Sequence, residues 1–451
     1  MPLSLEVRQE LKTFFNALND RILDPALAAD RAVYVPEVNG GDKAKQDPVE
    51  EIAMSIDFHE GGSVQLFSGQ RGTGKSTELK RLKAVLEDMG IVAFYVDMSE
   101  YILLTKPIEI SDFLISMAGA MSDGIAADPR FADKASPGYR TYWERLKHFL
   151  ETTVEFKELN LKLGDVADIK AELKNTPDFK QRIQSTARGY ITQIVRDAHE
   201  FFADAVGHVR ASLGQPDAKV VLIVDSVERI RGVGAEDMQV FDSVRNLFFA
   251  HAEHLRIPQL NTVYTVPPYL SVLAAGTGAL MGGAAVRSLV STHIFMDRSR
   301  ATDPAGLDIM RGVIEARYGD WRKVFSEATL NRLALSSGGD LREYFRLIRL
   351  CLTAVRDDGD LPLTQDAVKQ AENAVRNELL PIPEDNLAWL ARIAASHETC
   401  LGTEAELPVL ARFLDTRLVL NYRNGSDWYD VHPLIRDMVD EHGQPAPIPA
   451  P

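Results

Sequence analysis

Cysteine is nearly absent from this chain: Cys351 and Cys400 are the two in 451 residues. That is too few for a disulfide framework, and their separation gives no metal-ligand spacing, so both are expected to be core thiols. Positive charge is also short. The 50 Lys and Arg stand against 65 Asp and Glu, a formal charge of −15. This excludes a surface that coats nucleic acid indiscriminately, because phosphate neutralisation needs dense cations; a local basic patch stays open. The amino-terminal MPLSLEVRQELKTFF has no basic region followed by an apolar run, so no signal peptide is expected and the predicted location is cytoplasmic. One stretch, 257–286, lacks charge altogether, but Pro267-Pro268 and glycines at 276, 278, 282 and 283 interrupt it. A membrane span wants about 20 mainly apolar residues. The stretch reads instead as a buried strand and a Gly-rich loop, with no membrane partner.

What is present is ordinary globular material, 45% hydrophobic and 25% charged, long enough for two to four domains at roughly 150 residues each. Short apolar runs at 63–67, 91–96, 219–224, 262–266 and 292–296 read as buried strands. Helical patterns between them, such as 77–88 and 235–254, predict an α/β fold on a parallel sheet. After an amino-terminal helical lead-in (1–55), this core is expected over 56–300. It carries an insertion at about 125–212, where polar–apolar alternation over 154–173 around Gly164-Asp165 predicts a β-hairpin between helices. Residues 301–380 turn helical, with segments near 304–318, 327–336, 340–357 and 364–379 and Thr364 a candidate N-cap. Helices at 385–396 and 404–414, then strands at 417–422 and 427–431 about Asn424-Gly425, give 381–442 a winged-helix outline. The Pro-rich tail 443–451 is expected to be disordered.

The chemistry is concentrated at 69–76. Gly69, Gln70, Arg71, Gly72, Thr73, Gly74, Lys75 and Ser76 match G-x-x-x-x-G-K-[ST] at every position. Glycines let successive N–H groups curl toward phosphate oxygens. Lys75 supplies charge to the β- and γ-phosphates, Ser76 a hydroxyl for Mg2+, and the following helix its positive end. Thr77 is placed for a further phosphate contact. The motif follows an apolar strand and opens a helix, which makes it a nucleotide-phosphate site rather than a Gly-rich turn. In VVLIVDSVER, Asp225 ends a buried strand, where open α/β sheets bind ligands. It is the candidate metal residue with Ser76, and Glu228 the candidate base for the attacking water.

These residues resemble the P-loop branch that places a Glu after Walker B, including AAA+ and STAND ATPases. The run Ser337-Gly338-Gly339-Asp340-Leu341-Arg342 resembles the sensor-2 segment of AAA+ and origin-recognition-like ATPases. The resemblance covers roughly 30–440 without the insertion. It implies a three-layer P-loop NTPase core with strand order 5-1-4-3-2, a helical lid and a C-terminal winged-helix domain. It implies ATP and Mg2+ as cofactors, Arg342 as sensor 2, and Thr265 as sensor 1 unless that threonine is structural. An arginine supplied to a neighbouring subunit is also implied; Arg287 is the candidate and Arg298 the reserve. Tyr34 and Val35 would line the adenine pocket, or serve as plain packing.

A phosphate site fixes a chemistry and leaves its use open. The favoured expectation is an ATP-hydrolysing switch that forms a homo-oligomer and controls a partner protein, in a layout that bacterial antiphage-defence relatives share. The alternative is a DNA-directed loader using its winged helix. Across 386–442 five basic residues face nine acidic ones, which suits a protein-facing surface better than DNA; nucleic acid as a partner remains open.

Overall fold

The fold comes from a computed structural model that describes residues 3–38, 47–132, 141–145, 148, 191–273 and 286–443. The expected hairpin at 154–173, the Gly-rich loop and the Pro-rich tail beyond 443 lie outside the described residues. In chain order the main elements are α1 (Leu5–Ala17), α2 (Pro48–Phe58), β1 (Val64–Gly69), α3 (Lys75–Asp88), β2 (Val92–Asp97) and α4 (Ile110–Ala127). Then come α5 (Ile191–Leu213), β3 (Val220–Asp225), α6 (Asp237–Phe249), β4 (Asn261–Val266) and β5 (Val286–Leu289). Helices follow: α7 (Pro304–Arg317), α8 (Glu327–Ser336), α9 (Leu341–Ala354), α10 (Gln365–Glu378), α11 (Glu384–Ser396) and α12 (Leu407–Asp415). The strands β6 (Val419–Asn424) and β7 (Ser426–Val431) and the helix α13 (Arg436–Gly443) end the described chain. No helix among the described residues is long and apolar enough to cross a membrane.

The chain divides into two compact units. One comprises Val49–Ser68 and Leu79–Arg287, the other Met1–Pro48, Gly69–Glu78 and Ser288–Pro451. The first is built on the sheet. Its strands stand in the order β2-β3-β4-β1-β5, which is the expected order read from the opposite edge. The β1/β4, β3/β4 and β2/β3 ladders are parallel. Parallel strands need crossover helices on their faces, which bury both sides; β3 and β4 are buried at every residue. The register sets Asp97 opposite Asp225 and Phe67 opposite Thr265.

The second unit is mainly helical. α1, α7, α8, α9 and α10 enclose one apolar core that includes Phe14, Trp321, Tyr344, Leu347 and Val368. The Phe14 and Tyr318 rings stack at 4.4 Å. Ser326 caps α8 by accepting the Thr329 N–H at 3.2 Å, and Asp340 caps α9 by accepting that of Glu343 at 2.8 Å. Towards the carboxyl end α11 and α12 precede an antiparallel β6–β7 hairpin, turned at Gly425 with φ +83°. Tyr422 and Trp428 stack across it at 4.5 Å.

Two expectations need correction. The fifth strand is Val286–Leu289, not 292–296. The 292–296 run is apolar for another purpose, since Ile294 and Phe295 are buried in the helical core with Leu307 and Trp321. Arg287 therefore lies within the strand instead of before it. Cys351 is a buried free thiol as expected, but Cys400 is only partly buried, at a backbone φ of +52°. Thr364 does occupy the N-cap of α10, yet its side chain makes no capping bond.

Candidate nucleotide-phosphate site

The loop at 69–76 lies between β1 and α3, in the helical unit by its packing. Gly72 and Gly74 have φ of +101° and +93°, the left-handed region that side chains avoid. At Gly72 a Cβ would also fall 3.0 Å from the Arg342 Cβ and 3.1 Å from the Asp340 Oδ2. Glycine is thus demanded twice. Lys75 is buried, its Nζ donating to the carbonyls of Gly69 at 2.8 Å and Gln70 at 3.0 Å. Thr73 donates its hydroxyl to the same Gln70 carbonyl at 2.9 Å. Ser76 is half-buried in the first turn of α3, and Arg71 is exposed.

The lead-in is fastened beside this turn. The Leu23 N–H donates to the Thr77 hydroxyl at 3.1 Å, and the Tyr34 hydroxyl donates to the buried Glu78 carboxylate at 2.8 Å. Tyr34 and Val35 are both half-buried. Arg342, in the first turn of α9, lies alongside Gly72 with its guanidinium paired to Asp20 at 2.6 Å.

The side chain of Gln70, 2% exposed, is turned away from the loop's mouth. Its Nε2 donates to the carbonyls of Leu414 at 3.1 Å and Val419 at 2.6 Å, and its Oε1 accepts the Asn421 N–H at 3.0 Å. The turn between α12 and β6 is thereby stitched to the phosphate loop. Arg417, at the same turn with φ +61°, adds pairs to Asp340 at 3.2 Å and Glu343 at 2.9 Å. Burial raises the Glu343 carboxyl above its ordinary range, against the pull of Arg417 and Arg346. Sequence reasoning treats Gln70 as one more phosphate-facing position. The signal available was its type: an x position needs no amide, and a buried amide must find partners.

The sheet unit carries the acids. Asp225 is fully buried at the end of β3. Its Oδ1 accepts the Ser226 N–H at 2.6 Å and its Oδ2 the Tyr95 hydroxyl at 2.5 Å. Ser226 takes a left-handed φ of +70°, which turns the chain into a short 3-10 segment, Val227–Arg229, holding half-buried Glu228. Thr265, fully buried at the end of β4, accepts the Val227 N–H at 3.0 Å and donates to the Val224 carbonyl at 3.3 Å. Asp225, Glu228 and Thr265 thus lie together at the carboxyl-terminal ends of the central strands β3 and β4. Arg287 does not join them. It donates to Gln65 Oε1 at 2.8 Å and pairs with Glu51 at 3.3 Å, near the start of β1. Arg298 is exposed in the turn after Phe295.

Strand order, the β1–loop–α3 passage and the acids at the sheet's carboxyl edge define an α/β fold of the P-loop nucleotide-binding class. Several solved structures are similar to the chain. The Aeropyrum pernix ORC2 protein, in ADPNP-ADP complexes, is 12% identical, with 95% of this chain and 96% of that chain covered and a TM-score of 0.39. The Walker-type ATPase paby2304 of Pyrococcus abyssi is 11% identical, with 94% and 99% covered and a TM-score of 0.43. Cdc6p from Pyrobaculum aerophilum is 14% identical, with 91% and 98% covered and a TM-score of 0.35. No protein-family model matches the sequence, and no curated protein does.

Proposed function

We propose that the chain binds ATP with Mg2+, hydrolyses the β-γ anhydride, and uses the nucleotide cycle as a switch, in a homo-oligomer, on a partner protein. The observation that carries this reading is the loop itself. Two glycines in left-handed conformation, a buried lysine amine and a helix start make a cradle for a polyphosphate. Ser76 and Asp225 each offer a hard oxygen of the kind that Mg2+ takes alongside nucleotide phosphates, and both are assigned to the ion in this reading. When bound, the ion would neutralise charge on the β- and γ-oxygens.

The chain's own groups then have distinct tasks. Lys75 follows the γ-phosphate's growing charge, and Glu228 orients the attacking water and takes its proton. Thr265 fixes the backbone that presents Glu228, which is its contribution as sensor 1. Arg342, beside Gly72, reaches the γ-phosphate once released from Asp20. Tyr34 and Val35 flank the adenine. Arg287 or Arg298 acts on a neighbouring subunit, and Arg287 must first leave Glu51 and Gln65.

Glu228→Gln decides the assignment of the base. It is expected to keep ATP affinity while lowering turnover about 10²- to 10⁴-fold; normal turnover would refute it. The protein-directed reading is preferred over a DNA loader because of where the carboxyl-terminal cations go. Of the five basic residues in 386–442, Arg417, Arg423 and Arg436 are spent on internal pairs with Asp340, Asp427 and Asp430. A salt-sensitive DNA complex at physiological ionic strength would reverse this preference. A place in antiphage defence belongs to the same proposal, and its test is protection of cells that carry the gene from infection.

A further inference from the structure

We propose that Tyr95 is a positioning residue for Asp225, holding its carboxylate in the orientation that serves Mg2+. The inference deepens the reading above and rests on Asp225 being the metal-handling acid. It begins with register. β2 and β3 run parallel with Tyr95 opposite Ile223 and Asp97 opposite Asp225. Tyr95 therefore starts one pleat period short of the acid, and a phenol is long enough to cover that distance along the strand. Its hydroxyl arrives at 2.5 Å from Oδ2, the length of a charge-assisted O–H···O⁻ bond.

Asp225 is held on two sides. The Ser226 N–H takes Oδ1, and Thr265 pins the backbone just beyond through the Val227 N–H. Tyr95 supplies what these cannot, a fixed plane for the carboxylate. A buried acid with one tethered oxygen can still rotate about its terminal bond, whereas one with both oxygens engaged cannot. The ring itself is steadied by Lys80, whose Nζ lies 5.7 Å from its centroid. Asp97, the other carboxylate at this edge, is occupied elsewhere, accepting the Ser99 N–H at 2.9 Å to cap a short turn. It does not duplicate the role. Groups that orient a metal's ligand commonly matter 10- to 100-fold for metal affinity, and β2 brings such a group to Asp225.

The test is Tyr95→Phe, which removes one oxygen and keeps the ring. The full chain is titrated with a non-hydrolysable ATP analogue, once in Mg2+ and once in EDTA. The expected result is an analogue affinity in EDTA like that of the parent, with the Mg2+-dependent gain reduced about 10-fold or more. Equal loss in both conditions, or an undiminished Mg2+ gain, overturns the proposal. Asp225→Asn is run in parallel. If it keeps the full Mg2+ gain, the underlying reading of Asp225 fails, whatever Tyr95 does. Should Y95F not fold, Tyr95→Met takes its place, since it removes the hydroxyl and keeps an apolar side chain. A Mg2+ gain reduced about 10-fold or more, with affinity in EDTA retained, then supports the role, and an undiminished gain overturns it.

Discussion

Single residues in this chain are held far from their solution behaviour, and His432 shows it most clearly. It is 2% exposed, and burial, reinforced by Arg417, pushes its pKa down to about 3. The neutral ring accepts the Leu434 N–H at 3.2 Å and starts a turn. In the unfolded chain the imidazole takes a proton below about pH 6.5. The stabilising term is therefore complete above that pH and shrinks as pH falls toward 3. By pH 5 the loss amounts to about 2 kcal/mol. His432→Asn keeps an acceptor for the turn and has nothing to protonate. Guanidinium midpoints at pH 7 and pH 5 should thus fall further for the parent than for H432N. Asp430 and Glu343, whose carboxyls burial holds above their usual range, act in the opposite sense and are common to both proteins. Equal falls would show that His432 does not titrate this way.

Among elements, the tie between the phosphate loop and the β6 turn carries the clearest prediction. Gln70 gives two hydrogen bonds from its amide nitrogen to main-chain carbonyls. Gln70→Glu sets a carboxylate against the same carbonyls and is expected to cost about 3 kcal/mol, the range for a buried charge left without a partner. Gln70→Ala, which only removes the contacts, should cost less. Urea denaturation of the two variants measures the difference, and a smaller loss for Q70E than for Q70A would deny the tie. Elements were also where the sequence spoke unevenly. β1 to β4 were legible to within about two residues, because each is largely buried and reads as a mainly apolar run. β5 was not: Val286, Arg287, Ser288 and Leu289 are half polar, as an edge strand permits. The apolar run nearby answers to a different core. The loop residues were legible because phosphate chemistry fixes residue type and spacing together. Tyr95 and Gln70 were not, since their partners lie on elements that only tertiary structure brings near.

For the molecule as a whole, the open question is whether one copy suffices. Arg287 is the candidate to serve a neighbour, and in the isolated chain it is engaged by Glu51 and Gln65. A site that needs a neighbour's arginine should assemble when loaded. E228Q with ATP and Mg2+ is therefore expected to sediment as a larger species than the nucleotide-free chain. Unchanged sedimentation would remove the need for an arginine in trans.

The bonds of Gln70 join positions 344, 349 and 351 residues apart in the chain. During synthesis the glutamine emerges long before its three partners do. A nascent chain or a prematurely terminated product therefore carries the complete signature motif without its mature support. The tie between the loop and the β6 turn can therefore close only after residues 414–421 have been made.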